Sequence, residues 1–241
     1  MINLQTYLES KANFRAGLQM GRALCLRCRQ AKAVCDCELF QPFDSKIEFV
    51  ILIHPEEVRK RVATGRLSHL LLKNSHLIEG ESFDENESVQ KLLQDPSANC
   101  LILYPALNSL NLTLERTRPT LPTNKRQVIF VIDGTWRTAK KMLRLSPSLA
   151  SIPKVSFESP GLSRFEIRKQ PAAECLSTLE AIHHVIELIG DQHGFPVASR
   201  QHDHLLEMFD RMVDRQIDYQ NRLGSRKRER LVKRTPHELG D

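Results

Sequence analysis

QVIFVIDGTWRTAKKM, residues 127–142, is the stretch on which the reading of this chain turns. Val128 to Ile132 is an unbroken apolar run with the character of a buried strand. It ends on Asp133-Gly134-Thr135-Trp136, and a basic segment of helical period follows at once. An ordinary strand-to-helix turn calls for the glycine and for a capping Asp or Thr. It does not call for the only tryptophan in the chain.

Outward from this stretch the pattern alternates. KIEFVILIHP (46–55) and NCLILYP (99–105) read as strands, each stopped by a proline, and PKVSF (153–157) as a short strand. Residues 1–20, 56–75, 135–145, 176–190 and 199–223 read as helical, with Thr64-Gly65 a candidate interruption, and 82–88 as an acidic loop. Strands separated by helices predict an α/β domain with a mostly parallel sheet, which binds ligands beyond the carboxyl ends of its strands. Three such ends carry unusual chemistry: His54-Pro55, Tyr104-Pro105 and Asp133-Gly134-Thr135-Trp136.

Four of the six cysteines lie in CLRCRQAKAVCDC, as Cys25, Cys28, Cys35 and Cys37. Thiolates at this density suit one tetrahedral Zn²⁺ in a structural role, since four protein ligands leave no open position. A redox pair or an iron–sulfur cluster are the alternatives. Cys100 and Cys175 are isolated and read as small buried hydrophobes. His183-His184 and His202 with His204 do not suggest a second metal. Adjacent residues point about 100° apart on a helix, and a two-residue spacing is a poor helical chelate.

The net charge of +6 is concentrated in residues 222–234, where seven Arg or Lys face one Glu. Such a segment suits a polyanion, or it is a solvated helix end. No stretch approaches the roughly 18–20 apolar residues of a membrane span, and no secretory signal pattern opens the chain, so a cytoplasmic protein without membrane contact is expected. With 10 glycines, no G-x-G-x-x-G, no Walker loop and no G-x-S-x-G, the common nucleotide-binding and hydrolase readings fail. From these residues alone the chain is a nucleic-acid-modifying enzyme or a nucleic-acid-binding protein.

The motifs together resemble the DTW-domain proteins, named for Asp-x-Thr-Trp. The resemblance runs through CLRCRQAKAVCDC, ILIHPEEVRKRVATGRLSHLLLKNS, LILYP, FVIDGTWRTAKKM, LSRFEIRKQP and LSTLEA, in order, over nearly the whole chain. It implies a SPOUT-like, mostly parallel sheet with a C-terminal trefoil knot. The implied parts are an N-terminal helix and zinc module (1–45), a catalytic domain (46–200), and a C-terminal helix with a basic tail (201–241). Bacterial members look like tRNA-uridine aminocarboxypropyltransferases. The implied reaction moves the 3-amino-3-carboxypropyl group of S-adenosylmethionine to N3 of a tRNA uridine, of the variable loop in bacteria and the D-loop in some eukaryotic relatives.

In that setting Asp133 is the expected general base, or else a helix cap. Trp136 packs on a base or closes the core, and Thr135 meets the cofactor or caps the helix. Leu103, Tyr104, Pro105, Ser177, Thr178 and Glu180 are the expected cofactor holders. Arg59, Arg66, Arg164, Arg168 and Lys169 are candidates for the amino-acid carboxylate or tRNA phosphates, and Arg226, Lys227 and Arg228 for tRNA. A SPOUT-type RNA methyltransferase and a non-catalytic zinc-stabilised RNA-binding protein stay open as alternatives. No obligate protein partner is evident, and the oligomeric state is open.

Overall fold

The structure, a computed structural model, describes residues 23–60, 62–114, 121–165, 167 and 175–232, with side chains to residue 222. The helix expected over 1–20 lies outside these residues. The chain forms two compact units, Met1–Phe40 and Gln41–Asp241. The junction thus falls five residues before the one expected. No boundary occurs at residue 200, because the final helix packs within the second unit through Leu205, Met208, Phe209 and Val213.

The second unit is built on a six-stranded sheet in the order β2-β1-β5-β3-β6-β4, parallel throughout. Its strands are β1 (Glu48–Ile53), β2 (Ser75–Glu79), β3 (Ala98–Leu103), β4 (Leu110–Asn111), β5 (Arg126–Asp133) and β6 (Lys154–Ser156). The three central strands carry the apolar runs read from the sequence. All of β1 and Gln127–Val131 of β5 are buried, as expected for parallel strands covered on both faces. One face packs Val50, Leu52, Ile102, Val128 and Phe130 against Val89, Met142 and Leu149.

The helices are α1 (Pro55–Val58), α2 (Thr64–Leu71), α3 (Glu87–Gln94), α4 (Trp136–Arg144), α5 (Pro147–Ser151), α6 (Thr178–Ile189) and α7 (His204–Val232). The helical pattern over 56–75 therefore divides into a one-turn α1, a break, α2, and the start of β2. Thr64-Gly65 opens α2 instead of interrupting it. The edge strand β2 was hidden because its half-exposed SHLIE lacks the apolar run of the central strands. The acidic loop ends earlier than expected, because Asn86 accepts from Val89 N (3.1 Å) and starts α3.

Register fixes where the site forms. Ile53 pairs with Asp133, and Leu103 with Val131, so β1, β5 and β3 end at the same edge. Inserting β5 between β1 and β3 puts Asp133 at the carboxyl end of the central strand, where connections diverge and a crevice opens.

Candidate active site

The Asp133 side chain is a junction between elements. The residue is 2% exposed. Its Oδ2 accepts from Gly65 N in the first turn of α2 (3.2 Å), and its Oδ1 from Thr178 Oγ1 at the start of α6 (2.7 Å). Helix N-termini favour a negative charge, so both elements support the ionised carboxylate. Gly65 is required by proximity: a Cβ there would lie 2.4 Å from Asp133 Oδ2 and 2.9 Å from Ile51 Cγ2. Gly134 is required by the next turn, where a Cβ would meet Thr138 Oγ1 at 2.6 Å.

Thr135 caps α4, its Oγ1 accepting from Thr138 N (3.2 Å). With that position taken, Asp133 is not the cap of the following helix. Trp136 is 44% exposed and is no core residue. It stands edge-on to Tyr104, ring centroids 6.2 Å apart and planes at 63°.

These residues wall a cavity of about 930 Å³. Leu103, Tyr104 and Pro105 at the end of β3 line it, as do residues 131–136, Ser177 and Thr178. The cofactor-site candidates therefore come together, Glu180 excepted. Glu180 is 6% exposed and accepts from Ser177 N (2.8 Å), Ser163 Oγ (2.7 Å) and Arg164 N (2.7 Å). It completes a capping box with Ser177 and fastens the 163–165 loop to α6. Among the strand ends, His54 does not line the cavity. Its Nδ1 accepts from Glu56 N (3.2 Å) and its Nε2 lies 3.3 Å from Glu81 Oε1.

The segment after β6 supplies wall that sequence reasoning missed: Phe157, Glu158, Ser159 and Leu162, with Phe165 beyond. A turn-forming Ser-Pro-Gly directly after a strand was the available signal. Cys175 also lines the cavity and is not the buried hydrophobe expected, whereas Cys100 packs against the core. Asp133 and Glu158 are the charged groups among the described lining residues, which include no Lys or Arg.

The basic candidates do not gather here. Arg59 is exposed. Arg66, expected to meet a carboxylate or phosphates, is 6% exposed and donates to the Val58 carbonyl (2.5 Å), bridging the break between α1 and α2. Arg164 pairs with Asp210 (2.7 Å). Arg168 and Lys169 lie outside the described residues, as do the side chains of Arg226, Lys227 and Arg228 on α7.

In the first unit, Leu24 and Ala31 form an antiparallel bridge, and Cys25 O accepts from Arg29 N (2.8 Å) at a residue with φ of 61°. This turn brings Cys25, Cys28, Cys35 and Cys37 together as free thiols with sulfurs all within 4.8 Å of one another. The Cys25–Cys37 and Cys28–Cys35 separations are 3.8 and 3.5 Å. Tetrahedral zinc, with bonds of about 2.3 Å, sets its sulfurs about 3.8 Å apart, so the donors fit. The Cys28 and Arg27 backbone N–H groups bring the Cys25 thiol down to about 6, while burial pushes Cys28 and Cys37 up.

Residues 22–217 match the DTW domain. The chain is 31% identical to tRNA-uridine aminocarboxypropyltransferase 2 of Drosophila melanogaster over 166 residues, 66% of this chain and 63% of that protein. It is 32% identical to the protein of the same name from Mus musculus over 165 residues, 66% of this chain and 54% of that one. The match thus spans between about half and two thirds of the length of these curated relatives, which are animal proteins and lend no support to a specifically bacterial kinship. No solved structure matches. The domain match takes in the four cysteines, the sheet, the cavity and Asp133-Gly134-Thr135-Trp136, and the chain belongs to the DTW-domain family.

Proposed function

We propose that this chain transfers the 3-amino-3-carboxypropyl group of S-adenosylmethionine to N3 of a tRNA uridine and releases 5′-methylthioadenosine. The names of the relatives support the reaction, and the observation that carries it onto this site is the buried carboxylate of Asp133 in a cavity lined by acids and aromatics. S-adenosylmethionine is a net cation, with a sulfonium and an ammonium against one carboxylate. A wall bearing Asp133 and Glu158 complements that charge, and aromatic faces attract a desolvated sulfonium. Ser177 and Thr178, at the positive end of α6, suit the methionyl carboxylate.

Uridine N3 is protonated at neutral pH and is a poor nucleophile until the proton leaves. In the proposed step Asp133 takes or orients that proton, and the N3 lone pair attacks the methionyl Cγ. The Cγ–S bond breaks with its electrons going to sulfur, which leaves as neutral thioether. Transfer of this group instead of the methyl depends on which carbon is presented in line, a matter of how the cavity holds the cofactor. In this reading Trp136 stacks on the uracil turned out of the RNA, a role its half-exposed position beside Tyr104 supports. A SPOUT kinship with a knotted C-terminal segment belongs to the same proposal, supported by the all-parallel sheet and by α6 returning to the end of β5.

The deciding experiment supplies unmodified tRNA and S-adenosylmethionine with distinct labels on the methyl and carboxyl carbons. Carboxyl label in the tRNA together with methylthioadenosine is the expected result. Methyl label would replace the reaction by methylation, and neither label would leave RNA binding alone.

Two accessory parts follow. Structural Zn²⁺ on the four cysteines requires thiolates, so binding releases protons from the raised Cys28 and Cys37. Zinc affinity of the intact chain should therefore fall steeply as pH drops from about 8 to about 6, and Cys28→Ser should lose this metal. Equal affinity across that range in a competition titration would remove thiolate ligation. The basic stretch at 222–234 is assigned to tRNA phosphates. Deleting residues 224–241 should weaken tRNA binding and flatten its dependence on salt by about 0.9 in log–log slope for each phosphate no longer neutralised. An unchanged slope would make the tail solvent dressing.

A further inference from the structure

A second cluster of metal-ligating side chains lies in the α6–α7 region, between groups that local spacing does not pair. His183 and Glu187 are one turn apart on α6, so their side chains share a face. His202 and Asp203 sit in the 3₁₀ turn that leads into α7. One donor atom from each of the four lies within 4.8 Å of every other. His183 Nε2 is 2.9 Å from Asp203 Oδ1 and 3.9 Å from Glu187 Oε1. His202 Nε2 is 2.9 Å from Glu187 Oε1 and 3.9 Å from Asp203 Oδ1. Each imidazole nitrogen therefore addresses both carboxylates, where a simple histidine–carboxylate pair needs one.

We propose that His183, Glu187, His202 and Asp203 bind a divalent transition-metal ion of the zinc type, clamping α6 to the start of α7. With metal bonds of about 2.0–2.1 Å, tetrahedral ligand atoms stand about 3.4 Å apart, midway between the two distances seen here. Two imidazoles and two carboxylates favour zinc-like ions over magnesium or calcium, which prefer all-oxygen shells. Two carboxylates offset the charge of the ion, and with Arg200 counted the cluster carries a net charge of about +1. Arg200 bonds the same two acids, its Nε on Asp203 Oδ2 at 2.9 Å, its Nη2 on Asp203 Oδ1 at 2.7 Å and its Nη1 on Glu187 Oε1 at 2.5 Å, so an ion here shares Oδ1 and Oε1 with the guanidinium, which fixes the direction of both acids. His202 is fully buried, and the two imidazole rings stack with centroids 4.7 Å apart. This site does not depend on the transferase reading, although α6 carries Ser177 and Thr178 to the cavity.

The test is cobalt titration of the full chain after metal removal, followed by visible spectroscopy. The cysteine cluster gives thiolate-to-cobalt charge transfer, whereas a nitrogen–oxygen site gives only weak ligand-field bands. The expected result is a metal equivalent without the charge-transfer band, present in the wild-type chain and in Cys28→Ser, and lost in His183→Gln. Asp203→Asn, at a side chain about one-third exposed, should lose it as well and guards against a folding defect in the histidine variant. Cobalt binding that always carries the thiolate band would overturn the proposal. So would a thiolate-free equivalent that persists in both variants, or no thiolate-free binding at all.

Discussion

Asp133→Asn is expected to lower the rate of aminocarboxypropyl transfer about 10²–10⁴-fold, the range for loss of a positioned acid–base group. The substitution is informative because the surroundings can accept it. An asparagine carbonyl can take the Gly65 N–H, which lies 3.2 Å from Oδ2 in the native chain. The asparagine amide can then face Thr178 Oγ1, at 2.7 Å from Oδ1, because a hydroxyl can rotate to accept as readily as it donates. Both described bonds survive, the Thr178 bond with its direction reversed, while the charge and the basicity are gone. Binding of tRNA should change little and S-adenosylmethionine should bind somewhat more weakly, since one of the two complementary acids is neutralised, with the larger loss in kcat. Asp133→Ala, by contrast, leaves the Gly65 and Thr178 donors unpaired and should cost about 1–3 kcal/mol of stability for each group left without a partner. Single-turnover transfer with the Asn variant at the wild-type rate would remove Asp133 from the proton path.

The contrast between what was legible and what was not follows from range. Val128–Ile132 is read as a strand because a parallel strand covered on both faces must be apolar along its length, and that signal is local. Thr135 as a cap is local too. The partners of Asp133 lie 68 and 45 residues away in sequence, and nothing in the spacing of Gly65 or Thr178 announces them. The same limit hides the pairing of His183 with His202, since a helix-spacing argument weighs only neighbours in sequence and cannot see across the turn. β2 and β4 escape because edge strands carry mixed polarity and, for β4, only two residues. Exposure of Trp136 is a further non-local fact: the residue type favours burial, and the register of β3 beside β5 brings Tyr104 to meet it at the cavity instead.

Gly65→Ala is expected to be nearly as damaging, by a different route. Alanine is the better helix former by about 1 kcal/mol in a helix interior, and less in a first turn. On propensity alone the change would stabilise α2. The added Cβ, however, would lie 2.4 Å from Asp133 Oδ2 and 2.9 Å from both Asp133 Cγ and Ile51 Cγ2. Asp133 cannot swing aside freely, because Thr178 holds its other oxygen and the strand holds its backbone, with the carbonyl accepting from His54 N (2.9 Å). Overpacking of this kind costs about 1–3 kcal/mol, and loss of a hydrogen bond to a charged group about 1.5–3 kcal/mol. These outweigh the helix gain, leaving a net loss of about 1.5–5 kcal/mol in urea unfolding together with a displaced carboxylate and reduced kcat. A double-mutant cycle identifies the cause. In an Asp133→Ala background the carboxylate is gone, and adding Gly65→Ala should then cost much less than it does in the wild type. Equal costs in the two backgrounds would place the clash at Ile51 and not at the carboxylate.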